Sequence, residues 1–380
     1  MLFAVALLNA CSNSNNKSAT ASKTDSLANT APVKPASENV IAQFWAGTHD
    51  SIKNANHKEW NKYAASLDSS FSRLTRKKFN VMQNWAQQEL KDYQYDSLTL
   101  FYPFSGPDFF YANLLFPKAK KYIMVGLEPV GYAPTPALMP DSVLNNYLNE
   151  VENSLYAIFN FGFFRTNAMR ENFNKENLNG MLPLLYLFIE RRGYDIITVN
   201  KVRLGMNGEV NTFPVSDNDS TPNLKKIVRG VRFIIKSKSN AQTQELYYFS
   251  FDLSNSNYRK HPEFEKFVKQ QLPYCVYLKA ASCLMHKTYF SDIRNLILNN
   301  AGMVLQDDSG IPVHFFRNQN WDLQLYGKYN GVIKLFKGDE QPDLIEQYKR
   351  DSIKVKPLPF GTGYKFNKGT SNLQLAKRVH

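Results

Sequence analysis

Three residues at one turn and an acid downstream of it form a candidate ligand site. Ser105, Gly106 and Asp108 follow the apolar run of residues 98–102, and Glu128 ends the apolar run of residues 121–128. A glycine at the turn after a strand lets a ligand approach the backbone, and an acid at the end of a neighbouring strand can accept hydrogen bonds from a ligand. A purely structural turn with an incidental Glu128 is the alternative interpretation.

Two adjacent aspartates and an upstream histidine form a second candidate site. Asp307 and Asp308 follow the apolar run of residues 303–306 and precede Ser-Gly, with His286 upstream. Carboxylates and histidine are the groups of general acid–base catalysis, but successive residues of a strand point to opposite faces, so only one aspartate need enter a cleft. Asp-Ser-Gly is also ordinary turn chemistry, which is the alternative. A hydrolytic triad of Ser105, His286 and Asp307 is a hypothesis that geometry alone can test.

Complete catalytic motifs are missing from the sequence. It contains no H-E-x-x-H, no G-x-x-x-x-G-K-[ST] and no G-x-S-x-G, the signatures of zinc proteases, phosphate-binding loops and α/β-hydrolases. The cysteines lack metal-ligand spacing, so no metal site is predicted. Cys275 and Cys283 are expected to be buried free thiols, although a turn between them would permit a disulfide. The identity of any cofactor stays open.

Cys11 is the residue that indicates where the protein resides. A short apolar run ends in Leu8-Asn9-Ala10-Cys11, which resembles the bacterial lipobox, in which the cysteine carries the lipid. Residues 1–10 then form a signal peptide, since their apolar run is far shorter than the roughly 20 residues of a membrane-spanning helix. Residues 11–38 are polar and poor in large apolar side chains, as in a flexible tether. No Lys or Arg precedes Cys11, so a cytoplasmic location is the alternative to the bacterial cell envelope.

Net charge and aromatic content point to an ordinary globular protein with a basic surface. The formal net charge is +13, which favours contact with anionic lipid head groups or acidic envelope polymers. The densest basic cluster shares a predicted amphipathic helix with an apolar stripe, so it is interpreted as a solvated helix face rather than a nucleic-acid site; it comprises Arg73, Arg76, Lys77 and Lys78. The aromatic residues, 14% of the chain, are assigned mainly to a large core.

The apolar patterns predict one large α/β domain over residues 39–380, with a helical N-terminal part. Residues 38–90 and 141–192 show helical spacing, and residues 98–128 form a strand–helix–strand unit. Residues 261–306 repeat the alternation of helix and strand, while residues 227–236 and 245–253 form a predicted β-hairpin. The predicted fold is therefore α/β, with a Rossmann-like partly parallel sheet, an N-terminal helical extension and an added β-hairpin.

Two resemblances bear on function. The unit from residue 101 to residue 131 looks like the opening βαβ of Rossmann-like proteins, including methyltransferases, with Gly106 as the turn and Glu128 as the acid. The resemblance implies that Glu128 accepts hydrogen bonds from ribose hydroxyls, and the 22 positions between the two residues are close to the roughly 20 typical of that family. The segments FYPFSGPDF, GLEPVG, QDDSGIP and FGTGY together resemble an uncharacterised family of bacterial envelope proteins. That second resemblance implies an envelope location and supplies no catalytic residues.

Two functions follow as hypotheses. The first is a lipid-anchored envelope protein with a non-catalytic role in binding or envelope maintenance, whose partners are the membrane and an acidic polymer or a small ligand. The second is an enzyme with a Rossmann-like core. There, Ser105, Gly106, Asp108 and Glu128 would bind the ligand, while Asp307, Asp308 or His286 would carry acid–base chemistry. A lipidated Cys11 favours the first, because adenosyl and nicotinamide cofactors are scarce outside the cytoplasm.

Overall fold

Five parallel strands form the centre of a ten-stranded sheet in the described part of the chain. A computed structural model describes residues 37–52, 58–161, 180–215, 227–317 and 320–379. The strands are β1 Thr99–Tyr102, β2 Lys121–Gly126, β3 Tyr194–Leu204, β4 Val210–Pro214, β5 Arg229–Ser237, β6 Thr243–Ser250, β7 Tyr274–Leu278, β8 Ala301–Gln306, β9 Trp321–Gly327 and β10 Asn372–Arg378. Their spatial order is β4-β3-β5-β6-β2-β1-β7-β8-β10-β9.

The order of the parallel strands confirms the Rossmann-like prediction. Taken by their rank along the chain, the strands β6-β2-β1-β7-β8 follow the 3-2-1-4-5 order of the doubly wound fold. Antiparallel strands flank them on both sides: β3, β4 and β5 beside β6, and β9 and β10 beside β8. The predicted hairpin is the β5–β6 pair. The sequence does not predict the β3–β4 pair, because the residues of β4 are mostly exposed and lack an apolar run.

Helices cover both faces of the sheet. They are α1 Glu38–Trp45, α2 Lys58–Leu74, α3 Asn80–Glu89, α4 Phe109–Leu115, α5 Asp141–Phe161, α6 Leu182–Arg191, α7 Asn255–Tyr258, α8 Pro262–Lys269, α9 Ser291–Asn300, α10 His314–Arg317 and α11 Pro342–Arg350. Leu100 and Tyr102 of β1 face the core beneath α1–α6, while Phe101 between them faces the core beneath α8 and α9. Strands buried on both faces must be apolar throughout, which is why β1, β2 and β7 lack polar alternation.

The N-terminal helices are joined by a π-helical segment. Thr75–Phe79 connects α2 to α3 with hydrogen bonds to the fifth residue along, so the helix gains one residue over a regular turn. Phe71, Leu74 and Phe79 remain on the buried side across this segment. The described elements from α1 to β10 belong to one compact unit spanning residues 36–380. The predicted signal peptide, Cys11 and nearly all of the predicted tether lie outside the described residues.

Two local predictions at helix ends are corrected. The sequence predicts Pro107 as the first helical residue of α4, but Asp108 is the N-cap and α4 begins at Phe109, because an aspartate carboxylate can accept the free backbone N–H groups of the first turn. It also predicts Gly302 as a C-cap residue after α9. The chain instead turns extended at Ala301, and Gly302 lies within β8.

Candidate functional site

The polar residues predicted from the sequence meet where the sheet changes its winding direction. From β1 the chain passes through α4 to β2 on one side, and β7, on the other side of β1, leads through α9 to β8. Ligands of open α/β sheets bind beyond the carboxyl ends of the strands at such a switch point. The segments that follow β1, β7 and β8 meet there. We call this region the switch-point site, formed by residues 102–111, 277–283, 307–309 and 362–364.

A buried ion pair joins the ends of β1 and β7 at this site. Lys279 Nζ lies 2.5 Å from Asp108 Oδ2, and the two side chains are 1% and 2% exposed. Asp108 also accepts a hydrogen bond from the Tyr102 hydroxyl at 2.9 Å and caps α4 by accepting the Tyr111 N–H at 3.3 Å. Burial raises the pKa of Asp108 and lowers the pKa of Lys279, and each partner opposes the shift of the other. A buried charge of this kind is tolerated because it is paired and hydrogen-bonded.

Asp307 and Asp308 project to different partners, as neighbours after a strand should. Asp307 accepts hydrogen bonds from the Ala280 N–H at 2.8 Å and from the Ser309 N–H and hydroxyl at 3.0 and 2.5 Å. Asp308 accepts one from the Asn372 amide at 3.0 Å. Burial raises the pKa of both carboxyl groups, and the charge of Asp308 adds to the rise at Asp307. Asp307 therefore fixes the turn after β8 to the loop after β7, next to Lys279.

The backbone of the switch-point site is strained. Ala280, Ser282 and Cys283 after β7 have φ angles of 51°, 54° and 54°, and Phe104 after β1 has a φ of 61°. Residues other than glycine rarely adopt this left-handed region, and such strain clusters at functional sites. Tyr364 of the FGTGY segment holds the loop by donating to the Ala280 carbonyl at 3.0 Å and by sharing a hydrogen bond with the Ser282 hydroxyl at 2.5 Å.

Gly106 and Glu128 come together on the β2 side of the turn. Gly106 has a φ of +54°, and a Cβ atom built on it would lie 3.9 Å from Glu128 Oε2. A Cβ on Gly126 would lie 2.7 Å from the same oxygen and 3.0 Å from the Gly106 Cα, so this approach requires glycine. Glu128 is 7% exposed, and its carbonyl oxygen accepts a hydrogen bond from the Tyr248 hydroxyl at 2.8 Å. The predicted pairing of turn and acid is therefore present, with the acid buried.

Ser105 and His286 are not hydrogen-bonded to each other in the described part of the chain. The Ser105 hydroxyl accepts the Val125 N–H at 3.2 Å and donates to the Gly106 carbonyl at 2.8 Å, so it ties the turn to β2. His286 ends a short 3-10 turn, Leu284–His286, and its Nε2 atom has no hydrogen-bond partner among the described residues. Burial lowers the pKa of His286 to about 4, so the imidazole is neutral at physiological pH.

Two lysines are not predicted from the sequence: Lys279 within the switch-point site and Lys78 at its edge. Lys279 comes directly after the apolar strand β7, and its position at a strand end is the signal that could have revealed it. The prediction of a solvated helix face is right for Arg73, Arg76 and Lys77, which are exposed, but not for Lys78, which is partly buried. Its spacing of four residues from Leu74 continues the apolar stripe of α2, and that stripe was the available signal.

Comparison with protein-family models and curated proteins gives no relative from which a function can be transferred. The chain matches no protein-family model, and no curated protein matches it. Within the described residues, no helix combines the length and the apolar character needed to cross a bilayer. The described histidine, cysteine and acidic side chains form no group of three or more that is arranged to hold a metal ion. Cys275 and Cys283 are buried free thiols, as predicted.

Proposed function

We propose that this chain is a lipid-anchored protein of the bacterial envelope that binds a small molecule at the switch-point site. One observation carries the proposal: segments far apart in the sequence bring strained backbone and a buried Lys279–Asp108 pair to the sheet edge where α/β folds bind ligands. Strained loops and buried charges each cost stability. A stability-only role would not require both at the same edge of the sheet.

The contacts favour binding over catalysis as the first role of the site. Asp307 is occupied by three donors in its turn, and Asp108 by Lys279, Tyr102 and the helix cap. Carboxylates held in this way position loops and are poor proton carriers. The site therefore supplies a rigid frame, and rigid preorganised frames favour affinity by lowering the entropic cost of binding.

The ligand site is tested on the full chain purified from membranes. Native mass spectrometry would reveal any small molecule that is retained, and hydrogen–deuterium exchange with and without it would locate the contact. We expect slower exchange in residues 103–108 and 279–283. Protection confined to a different edge of the sheet, or the absence of any retained or added ligand, would contradict the proposal.

The anchor is tested separately at Cys11. Mass spectrometry of the mature N-terminus should show an acylated cysteine as the first residue, and the Cys11→Ser variant should leave the membrane fraction. Ser12→Ala changes the adjacent position without touching the thiol, so it is the matched control and should remain membrane-bound. An intact Met1 on protein from the cytosol would contradict the envelope location.

A second candidate function is a methyltransferase-like enzyme that binds an adenosyl cofactor beside Gly106. It is favoured by the 3-2-1-4-5 strand order and by the approach of Glu128 to the glycine turn. The residues fit the cofactor in part. Glu128 would hold the ribose hydroxyls, but Pro107 offers no backbone N–H and the Glu128 side chain is buried.

Calorimetric titration with S-adenosylhomocysteine distinguishes the two functions. The enzyme candidate requires binding that the Glu128→Gln substitution weakens at least about tenfold, because one good polar contact in a binding site is worth roughly 1.4 kcal/mol or more. Glu209→Gln, at an exposed turn, is the matched control. If the wild-type chain does not bind S-adenosylhomocysteine at millimolar concentration, the enzyme candidate is excluded and the binding role remains the proposed function.

A further inference from the structure

Lys78 is an amine at the edge of the switch-point site that forms no ion pair with a carboxylate of the described residues, although the charge of Asp108 acts on it. It lies in the π-helical segment Thr75–Phe79 and is partly exposed. Its Nζ atom lies 5.3 Å from the centroid of the Tyr111 ring, and Lys279 Nζ lies 3.7 Å from the same centroid. The two amines therefore share one aromatic ring, and only Lys279 is neutralised, by Asp108.

The charged groups around Lys78 leave its positive charge unbalanced. The groups that act on it are Lys279 from the loop after β7, Asp108 from the start of α4, and the Tyr111 ring from α4 itself. Asp108 is already bound to Lys279 at 2.5 Å. The negative charge of Asp108 is therefore shared between Lys279 and Lys78. Lys77, which is exposed on the same segment, is itself a cation and cannot balance Lys78.

An unpartnered hydroxyl lies in the same cluster. Tyr111 is fully buried, and its hydroxyl has no hydrogen-bond partner among the described residues. Buried hydroxyl groups are normally hydrogen-bonded, and an exception is explained by strain, by a catalytic role or by a bound water or ion. This observation is independent of the charge balance, and a bound anion that offers a hydrogen-bond acceptor would account for it.

We propose that Lys78, supported by Tyr111, receives an anionic oxygen group of the ligand at the switch-point site. The inference rests on the proposed function and narrows it to ligands that carry a phosphate or carboxylate group. The Lys78 ammonium, beside Lys279, is poorly stabilised without such a group. An oxyanion supplies both a negative charge for Lys78 and a hydrogen-bond acceptor for the Tyr111 hydroxyl.

The protonation of Lys78 makes this binding dependent on pH. Burial and the charge of Lys279 lower the pKa of Lys78 to about 7, so the amine is largely neutral at about pH 8.5 in the free protein. An anion favours the charged form, and binding therefore takes up a proton. If the amine must be charged, affinity should fall roughly 25-fold as the pH rises from about 6.5 to about 8.5, because the charged fraction falls from about 0.76 to about 0.03.

The test is calorimetric titration of the full chain with sulfate, which does not titrate in this range, and with acetate as the carboxylate probe. We expect binding that weakens from about pH 6.5 to about pH 8.5 and a heat that depends on the buffer's ionisation enthalpy. Lys78→Met should abolish the pH-dependent binding. Lys78→Arg should bind with little pH dependence, because arginine stays charged, and Lys77→Met should behave as wild type.

The outcomes separate this inference from the proposed function. Equal binding of sulfate or acetate by wild type and Lys78→Met would overturn the inference, as would a wild type that binds neither probe. If a neutral ligand then protects residues 103–108 and 279–283, the proposed function survives without the anion. The melting temperature of Lys78→Met, expected to be no lower than that of wild type, verifies that a loss of binding is not a loss of folding.

Discussion

Removing Lys279 should cost more stability than removing both Lys279 and its partner. In the Lys279→Met variant the carboxylate of Asp108 stays buried without its cation, and breaking a buried pair in this way typically costs about 3–5 kcal/mol. Asp108 retains the hydrogen bonds from Tyr102 and from the Tyr111 N–H, so we expect a loss near the lower end, about 3 kcal/mol.

The partner variant and the double variant complete the cycle. Asp108→Asn keeps a capping oxygen for α4 but leaves the Lys279 ammonium unpaired, and we again expect a loss of about 3 kcal/mol. The double variant buries no charge and should lose only about 1–2 kcal/mol, because a buried pair replaced by neutral groups is often nearly neutral in stability. The coupling free energy would then be about 4–5 kcal/mol, large for two side chains in contact.

The measurement is equilibrium unfolding in urea at about pH 7, followed by tryptophan fluorescence, with Cys11→Ser in every variant. Lys62→Met removes an ion pair whose side chains are 61% and 44% exposed, and as a control it should cost less than about 1 kcal/mol. If the two single losses simply add in the double variant to within about 0.5 kcal/mol, Asp108 and Lys279 are not a coupled buried pair and the reasoning fails.

Three further predictions concern the same region. Gly363→Ala should destabilise the fold by about 2 kcal/mol more than Gly193→Ala. Both glycines have positive φ, but only at Gly363 would the new Cβ overlap Asp307 Oδ2. Equal urea midpoints for the two variants would show that the contact between the new Cβ atom and Asp307 relaxes. In the His286→Gln variant, the free energy of unfolding should fall less between about pH 6.5 and 4 than it does in wild type. The folded pKa of about 4 lies below the unfolded one, so stability present above about pH 6.5 is lost as the pH falls, by up to about 3 kcal/mol in wild type. An unchanged fall in the free energy of unfolding in urea titrations of the variant would refute this assignment. Lys78→Met should raise the melting temperature at about pH 7. A folded pKa of about 7 means that folding expels a proton there, and calorimetric scans should show wild type gaining stability from about pH 7 to 10 while the variant does not.

The strands at the centre of the sheet were predictable because their residues leave little choice. A run such as residues 98–102 is apolar on both faces, and only a strand covered on both sides hides it from water. The strand–helix–strand unit from β1 to β2 follows from that run, the α4 sequence and the short connections. The pairing of Gly106 with Glu128 is predicted on the same basis, since both lie at strand ends.

The partners of the polar residues were not predictable in the same way. The position of Asp108 after β1 is evident from the sequence, but the sequence does not place Lys279 beside it, because that contact depends on β7 pairing with β1 rather than with another strand. For Asp307 the sequence leaves catalysis and a turn as alternatives. The fold makes it a turn carboxylate that also fixes the loop of Ala280.

The sequence by itself determined the α/β class, the helical N-terminal part, the hairpin of β5 and β6, and the position of polar residues such as Asp108, Glu128 and Asp307 at strand ends. These depend on the local spacing of apolar residues, which the chain displays directly. Only the tertiary structure decided that Lys78 lies at the edge of the switch-point site and that Lys279 is paired with Asp108 within it. Burial and charge pairing arise between segments far apart in the chain, and their free energies depend on distance and dielectric environment rather than on sequence position.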